Sequence, residues 1–163
     1  MNVLLQQHIH NTWANYQVLS AFRERPQLLD ATMYDGDPLL ERAMHLAVVE
    51  RGFLHLLEGN MTQPEAPREL EELIAYSNET GEGFAAALSK LDDAAIARPA
   101  FVPWFQREFP THVLIAQVLA HSGQHRAELA WELARAGVNA GEIDLIGWEA
   151  AGRPKPGEGG RLS

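Results

Sequence analysis

Leu119-Ala120-His121-Ser122-Gly123-Gln124-His125-Arg126 lies inside a longer stretch that reads as one helix, opening at Thr111 after Pro110 and closing at Gly137. Four residues is slightly more than one helical turn, so the imidazoles of His121 and His125 leave the same face about 6 Å apart. Two nitrogens at that separation can close on one transition-metal ion, with bonds of roughly 2.0–2.1 Å. Leu114, Val118, Leu129 and Leu133 continue that face, so the pair interrupts an apolar stripe. Imidazoles directed at a core need polar partners, and a bound metal is one way to supply them. The alternative is a pair of surface or hydrogen-bonded histidines.

Three further helical stretches precede this one. The first runs from about Val3 to Arg25, with Leu5, Ile9, Trp13 and Tyr16 at helical spacing, and stops before Pro26. The second opens at Asp37-Pro38, read as an N-cap followed by proline at the first helical position, and ends at Gly59-Asn60. The third runs from Pro67 or Arg68 to about Leu91, with Gly81 and Gly83 inside it as sites of a kink or local weakening. Thr111 is read as the N-cap of the fourth. Between the third and fourth lies Asp92 to Pro110, rich in aromatics and prolines. A loop of that length is either a lid or pocket wall, or a short hairpin capping one end of the core.

Four amphipathic helices without a strand pattern predict an all-α four-helix bundle with a long aromatic loop between helices three and four. Residues 1–150 form the single domain of this reading, and residues 151–163, with Pro154, Pro156, Gly157, Gly159 and Gly160, a flexible tail. Ile143, Leu145, Ile146 and Trp148 are expected to pack back on the body.

Composition narrows the function. The chain has 163 residues, 46% of them hydrophobic and 21% charged, as in ordinary globular domains. No run of about 20 apolar residues is present, so no membrane span is expected. The start of the chain lacks the basic and apolar segments of a secretory signal, and the cytoplasm is the default location. Cysteine is absent, which excludes disulfides, thiolate ligands and a cysteine nucleophile. A net charge of −9 without a basic cluster argues against nucleic acid and against an anionic membrane surface as partners.

Two histidines hold a metal weakly, and His45 in the second helical stretch is the candidate third ligand. It sits roughly 12 Å into its helix, while His121 and His125 sit roughly 15–20 Å into theirs, so parallel helices bring the three to one level. Three nitrogens with an open position make a catalytic type of site. His55 and His112 point off these faces and are expected to be solvated or uninvolved. His8 and His10 are read as surface or pocket-edge residues. Glu41 and Glu128, each one turn from a histidine, are candidates for a carboxylate behind the ligands, a fourth ligand or a catalytic base. Arg126 is read as pairing with a carboxylate at the bundle surface or holding an anionic substrate.

These residues resemble the DinB-like (YfiT-like) family of metal-dependent four-helix-bundle enzymes. The resemblance is carried by Trp13-Ala14-Asn15, by His45 in Ala43-Met44-His45-Leu46-Ala47, and by His121-Ser122-Gly123-Gln124-His125-Arg126-Ala127-Glu128-Leu129 with the later Leu133 to Gly137 and Asp144. It implies a divalent metal held by His45, His121 and His125, and often a homodimer. Glu128 stands where the family often has Gln, which changes the polarity beside the site. Characterised relatives include S-transferases and isomerases that use a low-molecular-weight thiol. A metal lowers the pKa of a bound thiol, and in a chain without cysteine the thiol has to be a cosubstrate. Metal-activated water would serve a hydrolase from the same position, and a non-catalytic metal- or ligand-binding stress protein is a third reading. Nitrogen ligands allow zinc, nickel, iron or manganese, with cobalt and copper also compatible. Trp13, Phe101 and Trp104 are the candidate walls of a pocket for a small-molecule substrate.

Overall fold

The computed structural model describes residues 3–158 and shows four long helices: α1 (Val3–Ala21), α2 (Leu39–Leu57), α3 (Leu70–Leu88) and, after a short helix and a hairpin, α5 (Thr111–Arg135). The short helix α4 (Asp93–Ala97) leads into strands β1 (Pro99–Val102) and β2 (Arg107–Pro110), and α6 (Leu145–Ala150) closes the chain. Residues 159–163 of the expected tail lie outside the described residues.

Each long helix packs against two others: α1 against α3 and α5, and α2 against α3 and α5. The bundle is therefore a four-cornered ring in which α1 and α2 stand diagonally. Its main core joins Leu19 and Phe22 of the first segment to Leu46, Leu73, Leu129 and Leu133. A second cluster, with Phe53, Phe84, Val102, Leu114 and Val118, fills the end beneath the hairpin. A third is small: Trp13 and Ala14 against Trp148 of α6, which anchors the C-terminal segment. Trp148 Nε1 also donates to the Pro154 carbonyl at 2.9 Å, so the chain beyond Gly152 is tied down at that point. Leu145 and Ile146 do not pack back as expected and remain exposed.

Several element ends differ from the sequence reading for identifiable reasons. Helix α1 gives way after Ala21 to two 3₁₀ turns, Phe22–Glu24 and Pro26–Asp30. Pro38, not Asp37, precedes α2, and the Asp37 carboxylate accepts from Arg42 at 3.2 Å instead of capping the helix. Thr111 is already inside α5, and its hydroxyl donates to the Arg98 carbonyl at 2.7 Å. Helix α3 runs through both glycines without a break. Their role is close approach: a Cβ on Gly81 would lie 2.0 Å from Thr12 Oγ1 of α1, and one on Gly83 would lie 2.6 Å from Leu54 Cδ2 of α2. The aromatic segment is a two-stranded antiparallel hairpin, pairing Pro99 with Pro110 and Val102 with Arg107, with a 3₁₀ turn at Pro103–Phe105. Gln106 takes φ +52° to close it.

No helix among the described residues is long and apolar enough to cross a membrane.

Candidate metal centre

Helices α2 and α5 are direct neighbours, and their contact brings three imidazoles together. His121 Nε2 lies 3.1 Å from His45 Nε2 and 3.1 Å from His125 Nε2. Ligand nitrogens of the three all fall within 4.8 Å of one another. The cluster grades from an exposed His45 through a half-buried His121 to a buried His125, so it opens on the His45 side.

Electrostatics keep two of these rings neutral. Burial first, then the neighbouring His125, pushes His121 down to about 4, and His45 is lowered from its ordinary value by the same two causes. Neutral imidazole is the form that donates a lone pair to a metal. Three imidazole nitrogens facing one another at this distance cannot all be protonated, because each added proton repels the next. A cation at their centre resolves that conflict, and the donor set fits a borderline transition metal.

Behind the cluster, Glu128 Oε2 accepts from His125 Nδ1 at 2.7 Å and from Arg42 Nη1 at 3.0 Å. With its proton on Nδ1, His125 presents a bare Nε2 to the cluster, the orientation a carboxylate imposes on metal-binding histidines. Burial alone would raise the Glu128 carboxyl. Hydrogen bonds from His125 and Gln124 and the charge of Arg42 outweigh it and hold the group below its ordinary value. Arg42 is itself fastened by Asp35 and Asp37. Glu41, one turn before His45 on α2, is exposed and accepts from Arg68 at 2.8 Å.

A second polar network, not anticipated from the sequence, lies beneath the histidines. Glu50 is fully buried on α2, and its Oε1 accepts from Asn11 Nδ2 at 2.7 Å, from Asn15 Nδ2 at 3.0 Å, and from the hydroxyl of Ser122. Burial pushes its carboxyl up, and the three hydrogen bonds and Arg126 oppose that shift. Arg126 donates to Asn11 Oδ1 at 2.7 Å and Asn15 Oδ1 at 2.8 Å, so two asparagines bridge a half-buried cation and a buried carboxyl. Arg126 is thus half-buried and held by two asparagines, rather than paired directly with a surface carboxylate. Its position beside Ser122 ties α5 to α1 and α2 within one turn of His121 and His125. The sequence does carry a signal: Asn11/Asn15 and Ser122/Arg126 are polar pairs four apart, so each pair shares one helix face.

The remaining candidates are placed as follows. His112 is exposed near the start of α5 and outside the cluster. His55 is half-buried rather than solvated, with Nδ1 donating to the Thr62 carbonyl at 3.0 Å. His8 and His10 are buried rather than superficial: His8 stacks on Phe84, and His10 Nε2 donates to the Ile143 carbonyl. Trp104 lines a cavity of about 510 Å³ together with Val48, Gly52 and Pro64. Phe101 does not, because strand alternation gives the inward place to Val102 and leaves Phe101 outside. Trp13 does not either: it is fully buried against Trp148.

A sequence profile of the DinB superfamily matches residues 8–129, a span that contains all three histidines. Among solved structures, a DinB-like protein from Bacillus cereus superposes with a TM-score of 0.69 at 18% identity, covering 86% of this chain and 95% of its own. At that identity the likeness is one of fold. No curated protein matches.

Proposed function

The chain belongs to the DinB superfamily, and from that premise we propose that His45, His121 and His125 hold a divalent transition metal in a metal-dependent enzyme that transfers a low-molecular-weight thiol to a small electrophile. The observation that carries the site is the convergence of three imidazole nitrogens from two helices, with Nε2 separations of 3.1 Å. When bound, the metal supplies Lewis acidity and stabilises a thiolate at neutral pH.

The surrounding residues have separable roles. Glu128 holds the His125 ring by Nδ1, and Arg42 holds Glu128 in place. Glu41 lines the basin beside His45 and is the carboxylate proposed to take the proton released by the thiol. That basin, about 700 Å³, presents Arg42 and Arg68 together with Asp37, Glu41 and Glu65. Charges of both signs suit a zwitterionic thiol of the amino-acid type. Since the chain has no cysteine, the sulfur nucleophile comes from that cosubstrate. Hydrolysis is the second reading, favoured by the exposure of His45, which leaves the cluster open to water. Homodimerisation belongs to the same proposal. Its support is the uncharged outer face of α5, where Val113, Ala120, Ala127 and Trp131 are exposed at helical spacing.

Elemental analysis of gently purified protein tests the site. About one metal per chain is expected in the wild type, with sharp loss in His45→Ala, His121→Ala and His125→Ala and retention in His55→Ala and His112→Ala. Full metal in all three cluster variants would refute the assignment. Turnover of a model electrophile with a panel of thiols, against a control without thiol, then separates transfer from hydrolysis and from a non-catalytic protein.

A further inference from the structure

The cavity beneath Trp104 differs in kind from the charged basin. Its floor is the face of α2 formed by Val48, Gly52 and Leu56, and its outer wall is the loop 60–64. Trp104, half exposed, stands edge-on to Phe53 at 5.4 Å between ring centres and closes the hairpin side. None of the described residues lining it is charged; its polar side chains are Asn60, Thr62 and Gln63. The volume, about 510 Å³, falls in the range of small-molecule sites.

Two features show that the space is built in. The wall loop is held by its own hydrogen bonds: Thr62 N donates to Asn60 Oδ1 at 2.9 Å, and His55 Nδ1 donates to the Thr62 carbonyl at 3.0 Å. The floor is kept open by a missing side chain. A Cβ on Gly52 would have Pro64 Cγ and Trp104 Cη2 as its nearest neighbours, both at 3.9 Å, so the glycine is required neither by its backbone nor by a close helix approach. Glycine inside a helix costs about 1 kcal/mol relative to alanine; at position 52 what that cost leaves is room.

The cavity also adjoins the charged basin that holds His45. Val48, one turn beyond His45, lines both the apolar cavity and the charged basin that contains His45. The loop passes from Pro64, on the cavity, to Glu65, on the basin. His45 therefore stands where an apolar compartment meets a zwitterionic one.

We infer that the cavity under Trp104 receives an uncharged aromatic or branched aliphatic group of the electrophilic substrate, which sets its reacting end toward His45. The inference rests on the metal-centre reading for the direction of the substrate, but not for the binding of its apolar group. A buried carboxylate or ammonium would find no counter-charge here, and its desolvation would go uncompensated. An aromatic group would meet the Trp104 ring and the apolar face of α2.

The test uses the full chain with chelator present and the neutral fluorophore N-phenyl-1-naphthylamine as probe. Saturable binding at one site per chain is expected, at least about tenfold weaker in Gly52→Leu and clearly weaker in Trp104→Ala, while Gly52→Ala stays within about threefold of wild type. Neutral 1-naphthylmethanol should displace the probe at least about tenfold better than anionic 1-naphthoate. Because Trp104 is on an exposed turn, its variant remains informative if Gly52→Leu fails to fold. Wild-type affinity in Trp104→Ala or in a folded Gly52→Leu, absence of saturable binding, or equal displacement by naphthoate would each overturn the inference. Binding should persist in His121→Ala, so loss of metal in that variant bears on the metal centre and leaves the cavity assignment standing.

Discussion

Replacing His8 by Phe should flatten the acid end of the stability profile by an amount the structure specifies. His8 is 2% exposed on α1, stacked on Phe84 with ring centres 4.8 Å apart and planes 19° from parallel. Burial pushes its pKa down to about 4 from 6.5, and a hydrogen bond to the backbone of Ile115 only partly opposes the shift. Because the folded value is the lower one, the unfolded chain binds the proton more readily between about pH 4 and 6.5, and acid in that window favours unfolding. Stability is full above the unfolded value and declines as pH falls toward the folded one. Linkage gives a loss of about 2 kcal/mol at pH 5 and about 3 kcal/mol at pH 4 from this ring alone. Phe keeps the stack on Phe84 and cannot be protonated; losing the Ile115 bond costs about 1 kcal/mol independently of pH. The assay is urea unfolding followed by circular dichroism from about pH 7.5 down to about pH 5, in chelator so that metal release does not contribute. The wild-type curve should fall more steeply than that of His8→Phe, by about 2 kcal/mol over the interval. Parallel curves would refute the assignment of the proton to His8.

Other outcomes follow from the packing and the two polar networks. Glu50→Ala should destabilise the fold by about 3–5 kcal/mol in urea titrations, because it strands the donors of Asn11, Asn15 and Ser122 and leaves Arg126 half-buried without its counter-charge; Glu50→Gln, which keeps the shape and an acceptor, should cost distinctly less. Gly81→Ala should lower stability by about 1–3 kcal/mol despite the better helix propensity of alanine, since the new Cβ would collide with Thr12; an unchanged urea midpoint would show that α1 and α3 separate freely there. Glu128→Ala should weaken metal binding by about 10–100-fold with helical circular dichroism unaltered, as expected when a ligand histidine loses the carboxylate that orients it, and competition against a calibrated chelator reads this directly.

The helices and the candidate ligands were legible in the sequence because both depend on local periodicity. Leu114, Val118, Leu129 and Leu133 mark one face of α5, and His121 and His125 share it through a spacing any helix imposes. The four-helix bundle follows from four such stripes that must be buried against one another. Likewise, the absence of cysteine is enough to exclude thiolate chemistry from the chain itself.

Tertiary structure decided what periodicity cannot reach. Glu50 reads as one more helix carboxylate until α1 and α5 bring Asn11, Asn15, Ser122 and Arg126 around it. Gly81 and Gly83 read as weak points of α3 until Thr12 and Leu54 stand against them. Trp13 and Trp104 carry the same indole, yet one is sealed against Trp148 while the other closes a cavity with Gly52. In each case the deciding contact joins residues far apart in the chain, whose meeting depends on which helices become neighbours. A spacing along one helix determines which side chains share a face; only the packed fold determines what that face meets.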